Sequence, residues 1–447
     1  MEPQIEKGEP EGGVGYAGPA RRVLVVGHYA SERNGGEGAI PLRLFRRLRA
    51  RGVPAWLLTH SSAHAELAKL LPPAELARVT FAPGVPGFGP VFTWGERLPT
   101  GPRTIAWAIT QLERQAAMVP VARRLVRELG IDVVHQPIGI SPVIPSLMTR
   151  LGAPVVMGPL NGGMELPPGF HDRDSSLYAF TKAARPVVAA VTNQLSRGRK
   201  KAAVVLVGND RTRLLLPRSV RGRALEFPEP WAVAREQPPE DDAVTPDPTG
   251  LVRFLFVGRL VAWKGVDILL DAFALVRQRI PAHLEIVGDG PERANLIEQA
   301  AGIAGATEVS FPGWLAPANC ARRMRACEVF VSPSLQEPGG NAVLEAMACA
   351  RPVVATAWGG HLSTMDNTTG MLVDVASRAA LVQGLADAMI KLAGDPALRS
   401  RLGEAGRRRV AAQYDWDVLV DRLLGIYDQV CASPRGESLL QRATEQS

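Results

Sequence analysis

The chain has 447 residues, of which 46% are hydrophobic and 21% are charged. This composition is that of a globular protein and excludes a disordered or fibrous chain. The length exceeds the roughly 250–300 residues that one core supports, so two domains are expected. Lysine and arginine outnumber aspartate and glutamate by 51 to 44, which suits contact with phosphates but leaves nucleic acid, anionic lipid and nucleotide diphosphates open.

The cysteines and the first residues bear on the compartment. The four cysteines form no C-x-x-C pair and have no histidines at zinc spacing. No stretch approaches ~18 consecutive apolar residues, and residues 1–22 show no apolar segment behind a basic one. We therefore expect a cytoplasmic protein with reduced thiols, no signal peptide and no membrane span.

Short apolar strands alternate with amphipathic helices along the first half. Residues 1–20 are low in apolar content and are predicted as a disordered tail. Val23–Val26 is a β-branched run typical of a buried parallel strand. A turn-rich loop at 27–38, a helical period over 40–51 and a strand over 53–58 complete a βαβ unit. Further strands are predicted at 132–134, 155–157 and 204–207.

A proline-rich acidic stretch at residues 236–250 predicts a linker between two such series. We predict an α/β protein with a first Rossmann-like domain over 21–235, a second over 251–415, and a cleft at the carboxyl ends of both parallel sheets. A helix at 416–431 is expected to pack back on the first domain, ahead of a flexible tail at 432–447. The second series predicts strands at 254–257, 284–287, 309–311, 329–332 and 353–356, and helices at 266–279 and 292–301.

The most informative stretch is residues 334–348, which begins as a loop after an apolar strand and becomes a helix near Asn341. Glu337 lies in the loop and Glu345 in the helix. The backbone amides predicted to point at an anion near this helix N-terminus are those of Gly339, Gly340 and Asn341. A glycosyl donor suits this arrangement, because its diphosphate leaving group gains charge as the anomeric bond breaks. The alternative is a turn-capping Glu337 and a surface Glu345.

Two further features suit phosphates. Arg259 and Lys264 stand five residues apart across a strand-to-helix turn, and we predict that both converge on a diphosphate; the alternative is a pair of solvated surface cations. Gly35 and Gly36 precede a helix, where backbone amides can approach an anion; the alternative is an ordinary turn.

One histidine is a candidate for acceptor chemistry. His135 ends the strand that begins at Asp132, and we predict that it faces the cleft and bonds a sugar hydroxyl or the acceptor. A satisfied structural histidine is an equal alternative.

Taken together, these motifs resemble glycosyltransferase family 4, the large family of retaining GT-B enzymes. The resemblance covers about residues 22–430 and is most specific in the second domain. Its matching stretches are Phe256–Leu260 with Lys264-Gly265, Ile286–Pro291, Phe311–Trp314, the E-x7-E block from Glu337 to Glu345, and Pro352–Thr356 with Gly359-Gly360.

The resemblance implies two facing Rossmann-like domains and a retaining transfer of a hexose-type sugar. The donor would be UDP- or GDP-linked, the acceptor a saccharide, a lipid-linked or a small molecule, and attack on the front face would need neither cofactor nor obligatory metal. Catalytic roles fall to Glu337, against the donor sugar, and to His135. Donor-binding roles fall to Arg259 and Lys264 on the diphosphate, Glu345 on the ribose, Gly339, Gly340 and Asn341 on phosphate and sugar, and Gly35 and Gly36 on the phosphates, with the region after Phe311 on the base.

The chain departs from the family pattern in three ways, one of which is that His361-Leu362-Ser363-Thr364 stands where the family commonly has a glutamate after the Gly-Gly pair. The family often reads E-P-F-G-L where this chain has Glu337-Pro338-Gly339-Gly340-Asn341. Family members also tend to carry an H-x-H pair after the fourth strand, where this chain has His135 alone.

Alternatives within the same architecture are a sugar-nucleotide epimerase and a catalytically weak nucleotide-sugar-binding subunit at a membrane surface. The basic segment at residues 182–201 could lie on anionic lipid at the inner face of the membrane, or form a solvated helix. No nucleic-acid partner is expected. A dinucleotide-dependent dehydrogenase is disfavoured because the G-D-G at Gly288–Gly290 lacks the full glycine fingerprint.

Overall fold

The structure is a computed structural model that describes residues 21–32, 36–84, 100–137, 146–173, 198–228, 251–303 and 308–432. Contacts divide the chain into two units. The first unit holds the described residues up to Gly162, those from 198 to Phe227, and those from Val420 onward. The second holds those from Gly163 to residue 173 and from 251 to Leu419. The predicted tails, the linker at 236–250 and most of the segment 182–201 lie outside the described residues.

The first unit is built on a seven-stranded sheet with the order β3-β2-β1-β4-β5-β6-β7, in which every neighbouring pair is parallel. Its strands are β1 Val23–Gly27, β2 Ala55–His60, β3 Val79–Ala82, β4 Val133–Gln136, β5 Val155–Leu160, β6 Val204–Val207 and β7 Ala224–Glu226. Its helices are α1 Gly36–Ala50, α2 His64–Leu70, α3 Pro73–Leu76, α4 Thr100–Leu129, α5 Gly198–Lys201, α6 Asp210–Leu215 and α7 Arg218–Arg221.

The second unit has a six-stranded parallel sheet with the order β10-β9-β8-β11-β12-β13. Its strands are β8 Val252–Val257, β9 Ala282–Val287, β10 Val309–Gly313, β11 Val329–Ser332, β12 Val353–Thr356 and β13 Gly370–Val373. Its helices are α8 Val266–Arg277, α9 Arg293–Ala301, α10 Pro317–Ala326, α11 Asn341–Ala348, α12 His361–Thr364, α13 Arg378–Gly394 and α14 Pro396–Gln413, and α15 Trp416–Ala432 follows.

The predicted α/β class with two parallel sheets is confirmed, and each predicted strand is present within a few residues. The central strands are fully buried Val-rich runs, as β1 and β11 show, because helices cover both faces of a parallel sheet. The sequence did not reveal β3, β7 and β13. All three lie at sheet edges, where a strand is short and only partly buried and so leaves a weaker apolar signal.

One segment groups differently from the predicted domain boundary at residue 235. Residues 163–173 were placed in the first domain, whereas they cluster with the second unit. Leu166 and Phe170 belong to the core of that unit, and the Trp358 indole donates a hydrogen bond of 2.8 Å to the Glu165 carbonyl. Because these apolar side chains are buried in the core of the second unit, the segment belongs to that unit, although its position in the sequence lies within the predicted first domain.

The C-terminal part of α15, from Val420 onward, belongs to the first unit. Asp428 accepts a hydrogen bond of 2.9 Å from Arg21, and the Arg422 guanidinium lies 5.1 Å from the Phe227 ring centre. Among the described helices, none combines the length and the apolarity that crossing a bilayer requires.

Candidate functional site

Two loops at the carboxyl end of the second sheet carry the predicted donor residues. One follows β8 and forms the short 3-10 turn Ala262–Lys264; the other follows β11 and leads into α11. The Leu335 amide donates a hydrogen bond of 2.8 Å to the Trp263 carbonyl, which joins the loops through the backbone. A parallel sheet places such loops at one edge, so residues far apart in sequence meet there.

A glycine sets the approach of the two loops. Gly265 has φ = 65°, and a Cβ atom there would lie 2.4 Å from the Pro333 carbonyl oxygen. Any side chain at this position would therefore both strain the backbone and push the β11 loop away. The close approach places Lys264, the preceding residue, over the loop that carries Glu337.

Lys264 and Glu337 form an ion pair. Lys264 Nζ lies 2.5 Å from Glu337 Oε2, and their side chains are 20% and 10% exposed. Burial by itself would raise the pKa of the Glu337 carboxyl, but the Lys264 charge and the hydrogen bond from Lys264 outweigh it and hold that pKa below its usual range. Glu337 is therefore a carboxylate at neutral pH.

The second oxygen of Glu337 caps the following helix. The Gly340 amide donates a hydrogen bond of 3.2 Å to Glu337 Oε1, and Gly340, with φ = 71°, is the N-cap of α11. This corrects one expectation: the Gly340 amide was predicted to hold a ligand anion, and here it holds the carboxylate of Glu337. A carboxylate at a helix N-terminus is itself stabilised by the helix dipole.

The remaining predicted donor residues lie around this pair with exposed side chains. Arg259, just after β8, is exposed, and its guanidinium makes no hydrogen bond or ion pair within the described residues. Glu345 is exposed in the second turn of α11, and Asn341 is exposed at its start, whereas Gly339 is buried. The structure thus brings Lys264 to Glu337, while the side chains of Arg259 and Glu345 are exposed.

Sequence reasoning missed His361, which lies beneath the Glu337 loop. It is 0% exposed and begins α12. Its Nε2 lies 3.0 Å from Ser332 Oγ and its Nδ1 lies 2.9 Å from Thr356 Oγ1. The Thr356 hydroxyl in turn donates to the Ser334 carbonyl at 2.5 Å. The available signal was two polar residues, Ser332 and Thr356, at the ends of otherwise apolar strands.

The same loop is fixed from the α12 side. The Gly360 amide donates a hydrogen bond of 2.8 Å to the Glu337 carbonyl. The His361 ring also lies near Gly340, because a Cβ atom built on that glycine would be 3.7 Å from the ring. Burial lowers the pKa of His361, and the nearby Lys264 charge lowers it further, against the opposing charge of Glu337. A neutral ring with hydrogen bonds at both nitrogens thus supports the loop.

His135 differs from the prediction that it faces a cleft. Its side chain is 0% exposed, Nε2 donates to the Gly158 carbonyl at 2.8 Å and Nδ1 pairs with the Tyr427 hydroxyl of α15. Burial lowers the pKa of His135 to about 4, although the Gly158 bond opposes this shift. The geometry corresponds to the structural alternative, because both ring nitrogens are occupied inside the first unit.

Two other predictions lie partly outside the described residues. Gly35 is outside them, and Gly36 is the first residue of α1. Of the basic segment at 182–201, only α5 is described, and there Arg199 is 3% exposed. Arg199 therefore does not present a charge to a lipid surface in this structure.

No metal-ligand cluster among the described residues adds a side chain to this site, and neither does the cavity that borders Phe311. Within the described residues, no three histidine, cysteine, aspartate or glutamate side chains cluster as metal ligands. A cavity of about 520 Å³ borders Phe311 and Pro312 and is also lined by His283, Glu285 and Arg323. It contains none of the residues predicted to bind the diphosphate, the sugar or the ribose, and Phe311 and Pro312 begin the region predicted to pack on the base.

Part of the chain is similar in sequence to known glycosyltransferases. Residues 252–395 match the family model described as glycosyl transferases group 1. A lipopolysaccharide core biosynthesis glycosyltransferase, LpsE of Rhizobium meliloti, is 34% identical over 170 residues, which are 38% of this chain and 47% of that protein. An alpha-D-kanosaminyltransferase of Streptomyces kanamyceticus is 29% identical over 322 residues, 69% of this chain and 80% of that one.

The fold extends over both units. The crystal structure of Anabaena HepE in complex with UDP superposes with a TM-score of 0.63 at 17% identity, covering 91% of this chain and 100% of that chain. The fold is therefore that of GT-B glycosyltransferases, with two parallel-sheet units. The chain spans about half the length of the first curated relatives that it matches.

Proposed function

We propose that the protein is a retaining glycosyltransferase that takes a hexose-type sugar from a UDP- or GDP-linked donor, because residues 252–395 match the family model described as glycosyl transferases group 1. The observation that carries this proposal is the Lys264–Glu337 pair, a cation and a buried carboxylate held together at the carboxyl end of a parallel sheet. Anabaena HepE, which has the same fold, was crystallised with UDP, and this supports a nucleotide at such a site.

Lys264 is the residue that we assign to the diphosphate. A lysine ammonium has three N–H donors, of which Glu337 takes one. The other two suit phosphate oxygens, and the exposed Arg259 adds a planar fork that matches phosphate geometry. Both cations would stabilise the charge that collects on the leaving diphosphate.

Glu337 then acts as a hydrogen-bond acceptor for the donor sugar and not as a general acid. Its pKa lies below its usual range, so it carries no proton to donate at neutral pH. An ionised carboxylate accepts hydrogen bonds from sugar hydroxyls and stabilises positive charge on the sugar ring as the anomeric bond breaks. Glu345, exposed one turn into α11, is assigned to the ribose hydroxyls.

The reaction that follows is front-face transfer without a cofactor or an obligatory metal, in which the leaving phosphate assists deprotonation of the acceptor. The acceptor is a saccharide, a lipid-linked sugar or a small molecule. We do not propose an epimerase, because His135, the acid–base candidate named above for the first unit, is buried and hydrogen-bonded at both nitrogens.

The test uses the nucleotide sugar alone, so that water takes the place of the sugar acceptor. The protein is incubated with UDP-glucose, UDP-N-acetylglucosamine and GDP-mannose, and release of sugar is followed by proton NMR. We expect turnover of one of the three donors. The sugar that is released should initially have the same anomeric configuration as it had in the donor. Release of the inverted anomer would contradict retention, and no turnover of any nucleotide sugar, with or without a mixed saccharide acceptor pool, would contradict the transferase itself.

A further inference from the structure

Two histidines follow the paired residues of neighbouring strands at the carboxyl edge of the first sheet. Strands β1 and β2 are parallel, and their last paired residues are Gly27 and Thr59. His28 and His60 each follow one residue later, so the register places them side by side. The carboxyl edge of a parallel sheet is where such folds bind ligands.

Helix α4 brings an arginine to the same place. Leu24, Val26 and Leu58 pack in one core cluster with Met118 of α4. Side chains alternate along a strand, so His28 and His60 continue the face of the sheet that α4 covers. Arg114 lies four residues before Met118, one helical turn earlier and on the same face of the helix. It therefore projects over the edge where the two histidines end their strands.

The electrostatics agree with this placement. Burial, together with a smaller contribution from the Arg114 charge, lowers the pKa of His28 to about 4. Burial also lowers the pKa of His60; Arg114 acts in the same direction and Glu113 opposes it. Burial lowers the pKa of the Arg114 guanidinium itself. The edge therefore holds one partly desolvated cation beside two imidazoles that are neutral at pH 7.

Each histidine keeps one buried nitrogen without a partner. Within the described residues, neither His28 Nδ1 nor His60 Nε2 makes a hydrogen bond. The Ser62 amide donates to His60 Nδ1 at 3.2 Å, so the proton of the neutral His60 ring is on Nε2. A buried N–H donor without an acceptor costs about 1–3 kcal/mol, and a ligand atom that accepts this hydrogen bond would remove that cost.

Three neighbours border the edge. A Cβ atom at Gly84, which follows β3, would lie 3.1 Å from His60 Nε2 and 3.9 Å from Glu113 Oε1, so glycine leaves room at this nitrogen. The Arg114 guanidinium lies 5.9 Å from the centre of the Tyr29 ring. Glu113 is the negative charge nearby, and a guanidinium with five N–H donors can serve a second acceptor beside it.

We propose that His28, His60 and Arg114, here called the histidine–arginine edge, form a binding subsite for an anionic group, a phosphate ester or a carboxylate, on the acceptor sugar. Arg114 supplies the charge and a planar pair of donors, and His60 Nε2 supplies a third donor. That the bound molecule is the acceptor rests on the proposed transferase function; that the edge binds an anion does not.

The test follows the two histidines directly. The full chain carrying Lys264→Met, which weakens anion binding in the second unit, is labelled with carbon-13 at the histidine Cε1 positions. Glucose 1-phosphate, glucuronate and glucose are titrated separately at pH 7. His28→Gln and His60→Gln variants assign the two resonances. We expect glucose 1-phosphate or glucuronate to shift the resonances of both histidines. The ligand that binds more tightly shows whether the subsite prefers a phosphate ester or a carboxylate.

Two arginine variants provide the controls. Arg114→Gln is expected to lower the affinity for the anion at least about tenfold, which is the effect of losing a charge-assisted hydrogen bond. Arg114→Lys should keep part of the affinity. Arg124 lies on the same helix with an exposed ion pair to Glu128, so Arg124→Gln should bind as the parent does.

Either of two outcomes overturns the proposal: equal shifts with neutral glucose, or anion shifts that persist in Arg114→Gln. Absence of any shift up to the solubility of the ligands would overturn it as well. The titration requires no sugar transfer, so a failure of the transferase function would leave its result unchanged.

Discussion

The Lys264 ammonium lies 2.5 Å from the Glu337 carboxylate, and the other oxygen of Glu337 accepts the Gly340 amide at the start of α11. One carboxylate thus joins the β8 loop to the β11 loop before any donor is bound. A site held in this way loses little conformational freedom on binding. The charge state and the position of Glu337 are therefore set by the fold.

Replacing Glu337 by Gln keeps the shape of the side chain and removes its charge. We expect donor turnover to fall by about 10²-fold or more, the usual effect of removing a group that stabilises transition-state charge, while the affinity for the nucleoside diphosphate changes little. Single-turnover kinetics and calorimetry on the same variant separate the two effects. Turnover equal to that of the parent would remove Glu337 from the donor sugar.

Lys264→Met keeps the aliphatic stem and removes the cation that we assign to the diphosphate. Both turnover and affinity for the nucleoside diphosphate should fall about tenfold or more, because a charge-assisted contact is lost. Lys391, an exposed lysine on α13, provides the matched control Lys391→Met, which should behave as the parent. Unimpaired turnover in Lys264→Met would contradict the diphosphate assignment.

Glu345→Ala should act on nucleotide affinity alone. Glu345 is exposed, so its removal leaves no cavity, and we expect an unchanged unfolding midpoint. The affinity for the nucleoside diphosphate should fall about tenfold or more. Glu298→Ala, at an exposed position of α9, is the control. Equal affinities in the two variants would show that Glu345 does not hold the ribose.

His361→Ala tests whether the buried ring positions the Glu337 loop. The change removes the contacts with Ser332 and Thr356 and leaves a cavity, so a loss of about 2–4 kcal/mol in unfolding free energy is expected. If His361 is a positioning residue, turnover measured well below the unfolding transition also falls, with unchanged affinity for the nucleoside diphosphate. Full turnover in the folded variant would assign it a purely structural role.

The stability of the first unit should decrease in acid because of His135. Its pKa falls from 6.5 in the unfolded chain to about 4 in the fold, so the unfolded chain binds more protons between these values. Stability is complete above pH 6.5 and is lost as the pH falls towards 4, by on the order of 3 kcal/mol for this group. His28 acts in the same direction.

Urea unfolding at pH 7 and pH 5 measures this dependence. The loss between the two pH values should be smaller in His135→Gln than in the parent, because glutamine does not titrate. The same loss in both proteins would show that another group carries the acid sensitivity.

The sequence predicted much of the fold for a simple physical reason. Central strands such as β1 and β11 are apolar throughout, and such runs stand out in a sequence, whereas β7 has three partly buried or exposed residues and does not. The segment at 163–173 was assigned to the wrong unit because its partners, such as Trp358, are distant in sequence.

Part of the site was also predictable. The spacing of Glu337 and Glu345 and the loop position of Lys264 follow from motif and secondary structure. The direct pairing of Lys264 with Glu337, and the use of the Gly340 amide by Glu337, depend on the contact between two loops that Gly265 allows. The burial of His135 depends on Tyr427, which is 292 positions away in the chain.

The most direct test of the central claim is a calorimetric titration of the protein with UDP, GDP and NAD. If the Lys264–Glu337 pair belongs to a nucleotide-sugar site, one of the two nucleoside diphosphates binds, Lys264→Met weakens it, and NAD gives no heat of binding. Binding of NAD in preference to both diphosphates, or nucleotide binding that is unchanged in Lys264→Met, would contradict the account.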